Sequence, residues 1–197
     1  MKYIHLLILL ILGNTLSIAQ YEKKDSFWGQ IGYGISFAKY SNSDVGLNIL
    51  GSINYETQNN NFSFSYVNSG EIALFKDPGE YIKSYELKYG RSIDFSMRGL
   101  LFPFPFLLII KKDFNYSLVG KIGISYNEGL KRTTLIQDDF FDDSYNSKIV
   151  SGFGLPVGIE MREEITRYIG MGLSFYTNFN KVKNYSSFNF SLYVGQF

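Results

Sequence analysis

The feature that most constrains this chain is a two-residue alternation of apolar and small polar side chains that recurs along most of its length. Successive side chains of a β-strand point to opposite faces, so the alternation predicts strands with one apolar and one polar face. Clusters of Asn, Asp, Ser, Gly and Lys separate the alternating segments, and no segment shows convincing helical spacing. The sequence therefore predicts an all-β fold.

Eight alternating segments can be distinguished. In the first, Phe27, Ile31 and Tyr33 alternate with Gln30 and Gly32. Each segment has about ten residues, which is the length of a tilted membrane-spanning β-strand. The apolar faces run from Phe27 to Phe37, Val45 to Tyr55, Phe62 to Tyr66, Tyr85 to Tyr89, Tyr116 to Tyr126, Phe153 to Met161, Ile169 to Phe175 and Phe188 to Val194.

The composition of the two faces indicates which one points outward. The polar face is mostly Gly, Ser and Asn with few charges, which suits the inside of a narrow closed barrel better than a surface exposed to water. The other face carries Ile, Leu, Val and Phe, with aromatic residues towards several strand ends, as in a lipid-facing band. We therefore expect an eight-stranded antiparallel up-and-down transmembrane β-barrel. A soluble or secreted lipocalin-like barrel that binds lipid in an apolar interior has the same period and is the alternative.

The first nineteen residues are expected to be a secretory signal peptide. Lys2 precedes an apolar run over 6–12, and the small residues Ser17 and Ala19 fit a signal-peptidase site. We expect cleavage after Ala19, which makes 1–19 the signal peptide and 20–197 the barrel domain. A membrane anchor is the alternative, but the run is shorter than the roughly 20 residues that a spanning helix needs.

Removal of this segment restricts the chemistry of the mature chain. It carries the only His, His5, and the full sequence contains no Cys. Imidazole and thiolate catalysis are therefore excluded, as are the common zinc, copper and haem sites, so we expect no cofactor. Without Lys2 the mature chain has 18 basic and 18 acidic residues. This balance does not suggest binding to nucleic acid.

The signal peptide, the eight amphipathic strands over 27–197 and the terminal Phe197 together resemble the small eight-stranded outer-membrane barrels of diderm bacteria, the OmpX-like proteins and the OmpA membrane domain. The resemblance implies localisation in the outer membrane, contact with outer-membrane lipid, and recognition of Phe197 by the barrel-assembly machinery. Phe197 is out of phase with the apolar face of its strand, so we expect either a bulge near Gly195 or a weaker assembly signal.

The resemblance also implies a non-enzymatic protein that acts through its extracellular loops, in envelope structure, adhesion or contact with an unknown extracellular partner. Barrels of this size that are enzymes rely on His as general base, so a lipid-modifying enzyme is the weaker alternative. A channel is not expected, because eight strands enclose a space that their own side chains fill.

An even number of strands with both termini in the periplasm assigns the connections. One connection does not fit, because 92–113 should be a short turn but contains the apolar run 99–110. The alternation continues past Gly90, so we expect an extended hairpin touching the inner leaflet, with a plug or a partner-binding element as alternatives. The expected extracellular connections are 41–44, 68–80, 127–148 and 178–185, and the expected periplasmic turns are 57–60 and 162–167.

Two groups of polar residues are candidate sites. Asp138, Asp139, Asp142 and Asp143 offer oxygen ligands to calcium but lack the spacing of a calcium loop, so a solvated acidic loop is preferred. Glu86, Lys88, Lys121 and Glu160 lie on the polar face, where buried charges must pair. We expect a structural ion-pair network in which Glu86 pairs with Lys121, with a proton or ion gate as the alternative. The mid-strand glycines Gly152, Gly154 and Gly158 are expected to be small interior residues rather than a phosphate-binding loop.

Overall fold

A computed structural model describes residues 25–39, 44–72, 76–77, 79–98, 113–137 and 143–196. Across these residues the chain forms eight long strands and a two-residue strand, Lys76–Asp77. No helix in the part of the chain that is described is long and apolar enough to cross a bilayer. The long strands are β1 (Ser26–Ala38), β2 (Val45–Thr57), β3 (Asn60–Glu71), β4 (Tyr81–Arg98), β5 (Asp113–Gln137), β6 (Asp143–Glu164), β7 (Ile169–Asn180) and β8 (Tyr185–Gln196).

The eight long strands form a closed antiparallel ring. Each strand pairs with its neighbours in the sequence, β8 also pairs with β1, and Lys76–Asp77 adds a short parallel pairing to the start of β6. The expected eight-stranded up-and-down barrel is therefore confirmed. We call the end at which β1 begins and β8 ends the terminal rim, and the opposite end the distal rim.

The strand register determines the tilt of the barrel. A path that follows paired residues around the ring leaves β3 at Asn60 and returns to it at Gly70, a shear of ten residues. Eight strands with this shear are tilted by about 40° from the barrel axis. Each residue then rises about 2.5 Å along the axis, so a 13-residue strand such as β1 spans about 30 Å, the thickness of a bilayer's hydrocarbon core.

The two faces of the sheet are divided as the alternation predicts. Large apolar side chains point away from the barrel, as shown by the exposure of Ile31, Ile124 and Phe153, which are 72%, 64% and 77% exposed. Ser and Asn side chains fill the inside, and Asn48 and Ser191 are fully buried. The fold is thus apolar outside and polar inside, the reverse of a water-soluble protein.

Two hairpins extend beyond the common level of the strand ends, which corrects the predicted loops. At the distal rim, β5 and β6 stay paired as far as Gln137 and Ser144, with register shifts between Arg132 and Gln137. The predicted loop 127–148 is therefore mostly strand, because β5 and β6 continue to pair with each other beyond the distal end of β4. At the terminal rim, β4 and β5 pair as far as Arg98 and Asp113, so the predicted continuation of strand past Gly90 is confirmed.

Three smaller predictions have different outcomes. Tyr116 keeps the parity of the outer face and stacks on Phe95 with ring centroids 5.6 Å apart, although it is only 3% exposed. The turn predicted at 162–167 is wrong in extent, because β6 continues to Glu164. Of the two alternatives for the last strand, the bulge near Gly195 does not occur, since β8 pairs with β1 without a shift as far as Gln196. The predictions for 1–19, Phe197 and 99–110 lie outside the described residues.

Candidate functional site

The lumen contains all four charged residues that the sequence placed on the polar face. Glu86 and Lys88 come from β4, Lys121 from β5 and Glu160 from β6, and each points into the barrel. They form two separate groups along the barrel axis.

The group nearer the distal rim is centred on Glu86, which is fully buried. Lys88 Nζ lies 2.7 Å from Glu86 Oε2, and Ser84 and Asn178 donate hydrogen bonds to Oε1 at 3.0 and 3.1 Å. The Tyr185 hydroxyl adds a weaker hydrogen bond at 3.3 Å. A buried carboxylate with a cation and three donors is compensated, so this group has a structural role.

The second group joins Lys121 to Glu160, with Nζ and Oε2 3.1 Å apart. Lys121 also donates to Asn54 Oδ1 at 3.3 Å, and Gln30 approaches Glu160 at 3.5 Å. The predicted Glu86–Lys121 pair is wrong. The register places Glu86 opposite Ser125, four residues from Lys121, so the two charges lie at different heights.

A third pair, Glu56 with Arg162, closes the lumen near the terminal rim and was missed as a site. Arg162 donates to Glu56 Oε2 at 2.7 Å, and its guanidinium lies 4.4 Å from the centroid of the Trp28 ring. Ser92 and Asn61 also donate to the Glu56 carboxylate. The parity of Glu56 was visible in the sequence, but Arg162 was assigned to a turn. Arg162 comes two residues after Glu160, and this spacing was the signal that could have placed Arg162 inside the barrel.

These networks leave little open space within the barrel. A cavity of about 20 Å³, the size needed for one water molecule, lies beside Lys88, Lys121, Glu160 and Tyr176. Three acidic and three basic side chains occupy the described lumen between the rims: Glu56, Glu86, Glu160, Lys88, Lys121 and Arg162. These side chains occupy space that an aqueous channel through the barrel would need.

The wall of the barrel has a local interruption at Pro156, in the middle of β6. The β5–β6 ladder has paired residues at Ile122–Val157 and Ser125–Gly154 but none between them, although the register does not change. Proline has no N–H to donate across the ladder, so the carbonyl of Gly123 lacks this bond. The β6–β7 side of Pro156 is intact, because it pairs with Asn178.

At the distal rim a loop and an ion network cover the lumen. Val182, in the β7–β8 loop, is 2% exposed, and a Cβ built at Gly129 would meet it at 2.8 Å. The neighbouring Lys183 Nζ lies 2.5 Å from Glu80 Oε2, and the Arg132 backbone N–H donates to Glu80 Oε1 at 2.9 Å. Arg132 also forms an ion pair with Glu71. The apolar side chain of Val182 is thus buried close to two ion pairs, Lys183–Glu80 and Arg132–Glu71.

Burial lowers the pKa of the Lys183 ammonium. Its hydrogen bond to Glu80 and the charge of that carboxylate oppose the effect, whereas the positive charges of Lys131 and Arg132 add to it. The β7–β8 loop that holds Lys183 is stabilised by Asn180, whose side chain accepts from the Lys183 N–H at 2.8 Å and donates to the Lys183 carbonyl at 2.8 Å. These hydrogen bonds therefore hold the β7–β8 loop in a defined conformation at the distal rim.

The other candidate sites have no described binding geometry. Asp138, Asp139 and Asp142 lie outside the described residues, and Asp143 begins β6. Within the ranges that the structure covers, no group of three or more potential metal ligands comes together. Gly154 and Gly158 leave no space for a larger residue, since a Cβ added at Gly154 would meet Asn178 Oδ1 at 2.5 Å and one added at Gly158 would overlap Tyr176 Cβ.

Comparisons with known proteins identify the fold. No protein-family model and no curated protein matches the chain. Among solved structures, Neisserial surface protein A (NspA) is similar with a TM-score of 0.52 and 16% identity, over 89% of this chain and all of that one. Ail, the attachment invasion locus protein of Yersinia pestis, has a TM-score of 0.53 and 14% identity over the same shares.

Two further structures have the same fold. One is the N-terminal β-barrel domain of Pseudomonas aeruginosa OprF, with a TM-score of 0.52 and 11% identity over 86% of this chain and 96% of that domain. The other is Ail in complex with the heparin analogue sucrose octasulfate, with a TM-score of 0.53 and 13% identity, over 89% of this chain and all of Ail. This chain therefore has the fold of the small eight-stranded outer-membrane barrels that the sequence resembles.

Proposed function

We propose that the mature chain is a non-enzymatic outer-membrane barrel that does not conduct and that contacts an external partner through its β5–β6 hairpin. The observation that carries this proposal is the polarity of the barrel, with apolar side chains outside over about 30 Å and paired charges inside. Such a molecule would expose a large apolar surface to water if it were soluble.

The alternatives predict a different interior. A lipocalin-like barrel needs an apolar cavity to hold lipid. Here the described lumen holds Ser, Asn and ion pairs and a cavity of about 20 Å³, too small for an acyl chain. A lipid-modifying enzyme needs a base next to the bilayer. Glu86 and Glu160 are instead buried in the lumen and bonded to lysines, so they are not available to a lipid substrate.

The distal hairpin is the element best placed for contact outside the cell. Leu130 is the last residue of β5 that pairs with β4, and β5 continues for seven more residues, to Gln137. At about 2.5 Å of rise per residue, the hairpin extends about 18 Å beyond the distal ends of the other strands. In Ail the same fold has been solved with a heparin analogue, which supports contact with an external ligand as a role that this fold permits.

Two measurements test the proposal. In intact cells, added protease should cut within the hairpin near Lys131 or Lys148 and should leave the β6–β7 turn at Arg167 uncut, because that turn lies at the periplasmic side. Extracted barrel should migrate differently on SDS gels before and after boiling, because a closed ladder resists detergent. Recovery in the soluble fraction, or cleavage at Arg167 with an intact hairpin, would contradict the proposed location and orientation.

A further inference from the structure

The distal side of the barrel carries lysines that form no ion pair with the acidic side chains that the structure describes. Lys131 and Lys148 lie directly opposite each other in the β5–β6 register, and Lys181 is exposed in the β7–β8 loop. We call these three residues the distal lysine cluster. Like charges directly opposite on paired strands are destabilising unless something compensates them.

The nearby acidic groups are already engaged. Glu71 pairs with Arg132, and Glu80 pairs with Lys183. Glu128 lies opposite Lys83 on the neighbouring strand. No ion pair joins a described acidic side chain to Lys131, Lys148 or Lys181.

Lys131 and Lys148 face each other across the hairpin, and Lys181 lies beside Gly152, four residues along β6 from Lys148. Lys131 comes two residues after Gly129, and Lys148 comes two residues before Val150, the partner of Gly129. Both lysines therefore share the face of the hairpin on which Val182 contacts Gly129. Lys131 is also close enough to Lys183 to affect its ionisation, which joins the hairpin electrostatically to the β7–β8 loop. Among the described residues, the cluster is therefore a positive surface on the distal side of the barrel.

From this arrangement we propose that Lys131, Lys148 and Lys181 form a binding surface for the sulfate or phosphate groups of an external anionic saccharide. The ammonium groups supply charge-assisted hydrogen bonds to oxyanions, and binding removes the repulsion between Lys131 and Lys148. The inference rests on the proposed function in one respect, which is that the hairpin lies outside the cell.

The test uses the full barrel in nanodiscs of zwitterionic phosphatidylcholine, with sucrose octasulfate as the probe in calorimetric titrations. We expect binding at low ionic strength that weakens as salt screens the charges. Lys131→Gln combined with Lys148→Gln should weaken binding by at least about tenfold, since each lost charged hydrogen bond is worth about one such factor. The control is Lys39→Gln combined with Lys83→Gln, which removes the same charge from the distal side outside the cluster and should change binding less than about twofold.

The outcomes separate the two proposals. A boiled and unboiled gel comparison of each variant shows whether the barrel is intact, so absence of binding by an intact barrel overturns this inference alone. Equal losses in the cluster and control variants would also overturn it, because binding would then follow net charge. Nanodiscs that contain lipopolysaccharide identify the source of the ligand. Competition would indicate phosphates of the membrane's own saccharide, and unchanged binding would indicate a saccharide from solution.

Discussion

The Lys121–Glu160 pair allows a quantitative test of the filled lumen. The two side chains are 8% and 5% exposed, and their charged atoms are 3.1 Å apart. Their surroundings differ. Glu160 also lies 3.7 Å from Arg162 Nε, whereas the other contact of Lys121 is the neutral Asn54. Lys121→Met therefore leaves Glu160 near one remaining cation, whereas Glu160→Gln leaves Lys121 without a carboxylate among the described residues.

This difference determines the expected free energies of unfolding. Removal of one partner from a buried ion pair costs about 3–5 kcal/mol. We expect Lys121→Met near the lower end of this range and Glu160→Gln near the upper end, because Lys121 then faces Lys88 and Arg162 without compensation. The double variant should cost about 2 kcal/mol less than the sum of the single variants, because the second change removes the orphaned charge.

A second cycle in the same lumen provides the matched control. Glu86 is bonded to Lys88 at 2.7 Å and lies opposite Ser125, about 13 Å along the strand from Lys121. Glu86→Gln and Lys121→Met should therefore couple more weakly than the two members of the Lys121–Glu160 pair, because Lys88, which is bonded to Glu86 and faces Lys121, is the cation that links them. The control shares one variant with the first cycle, so a general loss of stability would affect both cycles alike.

Urea titration of the barrel inserted in phospholipid vesicles measures both cycles. The single tryptophan, Trp28, is 1% exposed inside the barrel and reports unfolding by its emission. Gel mobility before and after boiling provides an independent measure of closure. A Lys121–Glu160 coupling below about 0.5 kcal/mol, or a larger coupling for Glu86 with Lys121, would refute the strand register and the charge-paired lumen.

Three further substitutions test the wall and the turns. Gly34→Ala should prevent closure between β1 and β8, because the added methyl group overlaps the Phe188 carbonyl oxygen. The control is Gly51→Ala, whose methyl group meets no atom within 4 Å and which should fold normally. The fraction of protein whose gel mobility changes on boiling measures closure in both variants. Pro156→Ala should raise stability by about 1 kcal/mol by restoring the N–H that β5 lacks, and a lower urea midpoint would contradict this. Gln58→Gly should raise the free energy of unfolding by roughly 1 kcal/mol, since Gln58 has φ 54° in the β2–β3 turn, and an unchanged urea midpoint would mean that the turn is not strained.

The direction in which each strand faces could be predicted because it is a local property. The spacing of Phe188, Phe190 and Leu192 determines their common face whatever the neighbouring strand is, and all three are exposed in the barrel. The same parity places Glu86 and Lys121 inside. It does not determine which charges meet, since that depends on the register between strands, and the β4–β5 register places Glu86 opposite Ser125, four residues from Lys121.

The extents of the strands were harder to predict for a related reason. Alternation weakens beyond Leu130, and yet β5 remains paired with β6 as far as Gln137 across two register shifts. Bulges change the parity of a strand and remove the period that sequence analysis depends on. Arg162 shows the opposite case, because its parity was intact and only the assumed position of the turn kept it out of the lumen.

The filled lumen restricts where a barrel of this kind can act. The inside is occupied by three ion pairs and is covered at the distal rim by Val182, and the outer face meets lipid over the height of the bilayer if the chain lies in a membrane. Binding chemistry is then confined to the two ends, where hairpins extend beyond the other strands. On the distal side Glu71 and Glu80 are paired, whereas Lys131, Lys148 and Lys181 form no ion pair with an acidic side chain that the structure describes. For the described part of this end, an anionic partner is therefore a better electrostatic match than a cationic one.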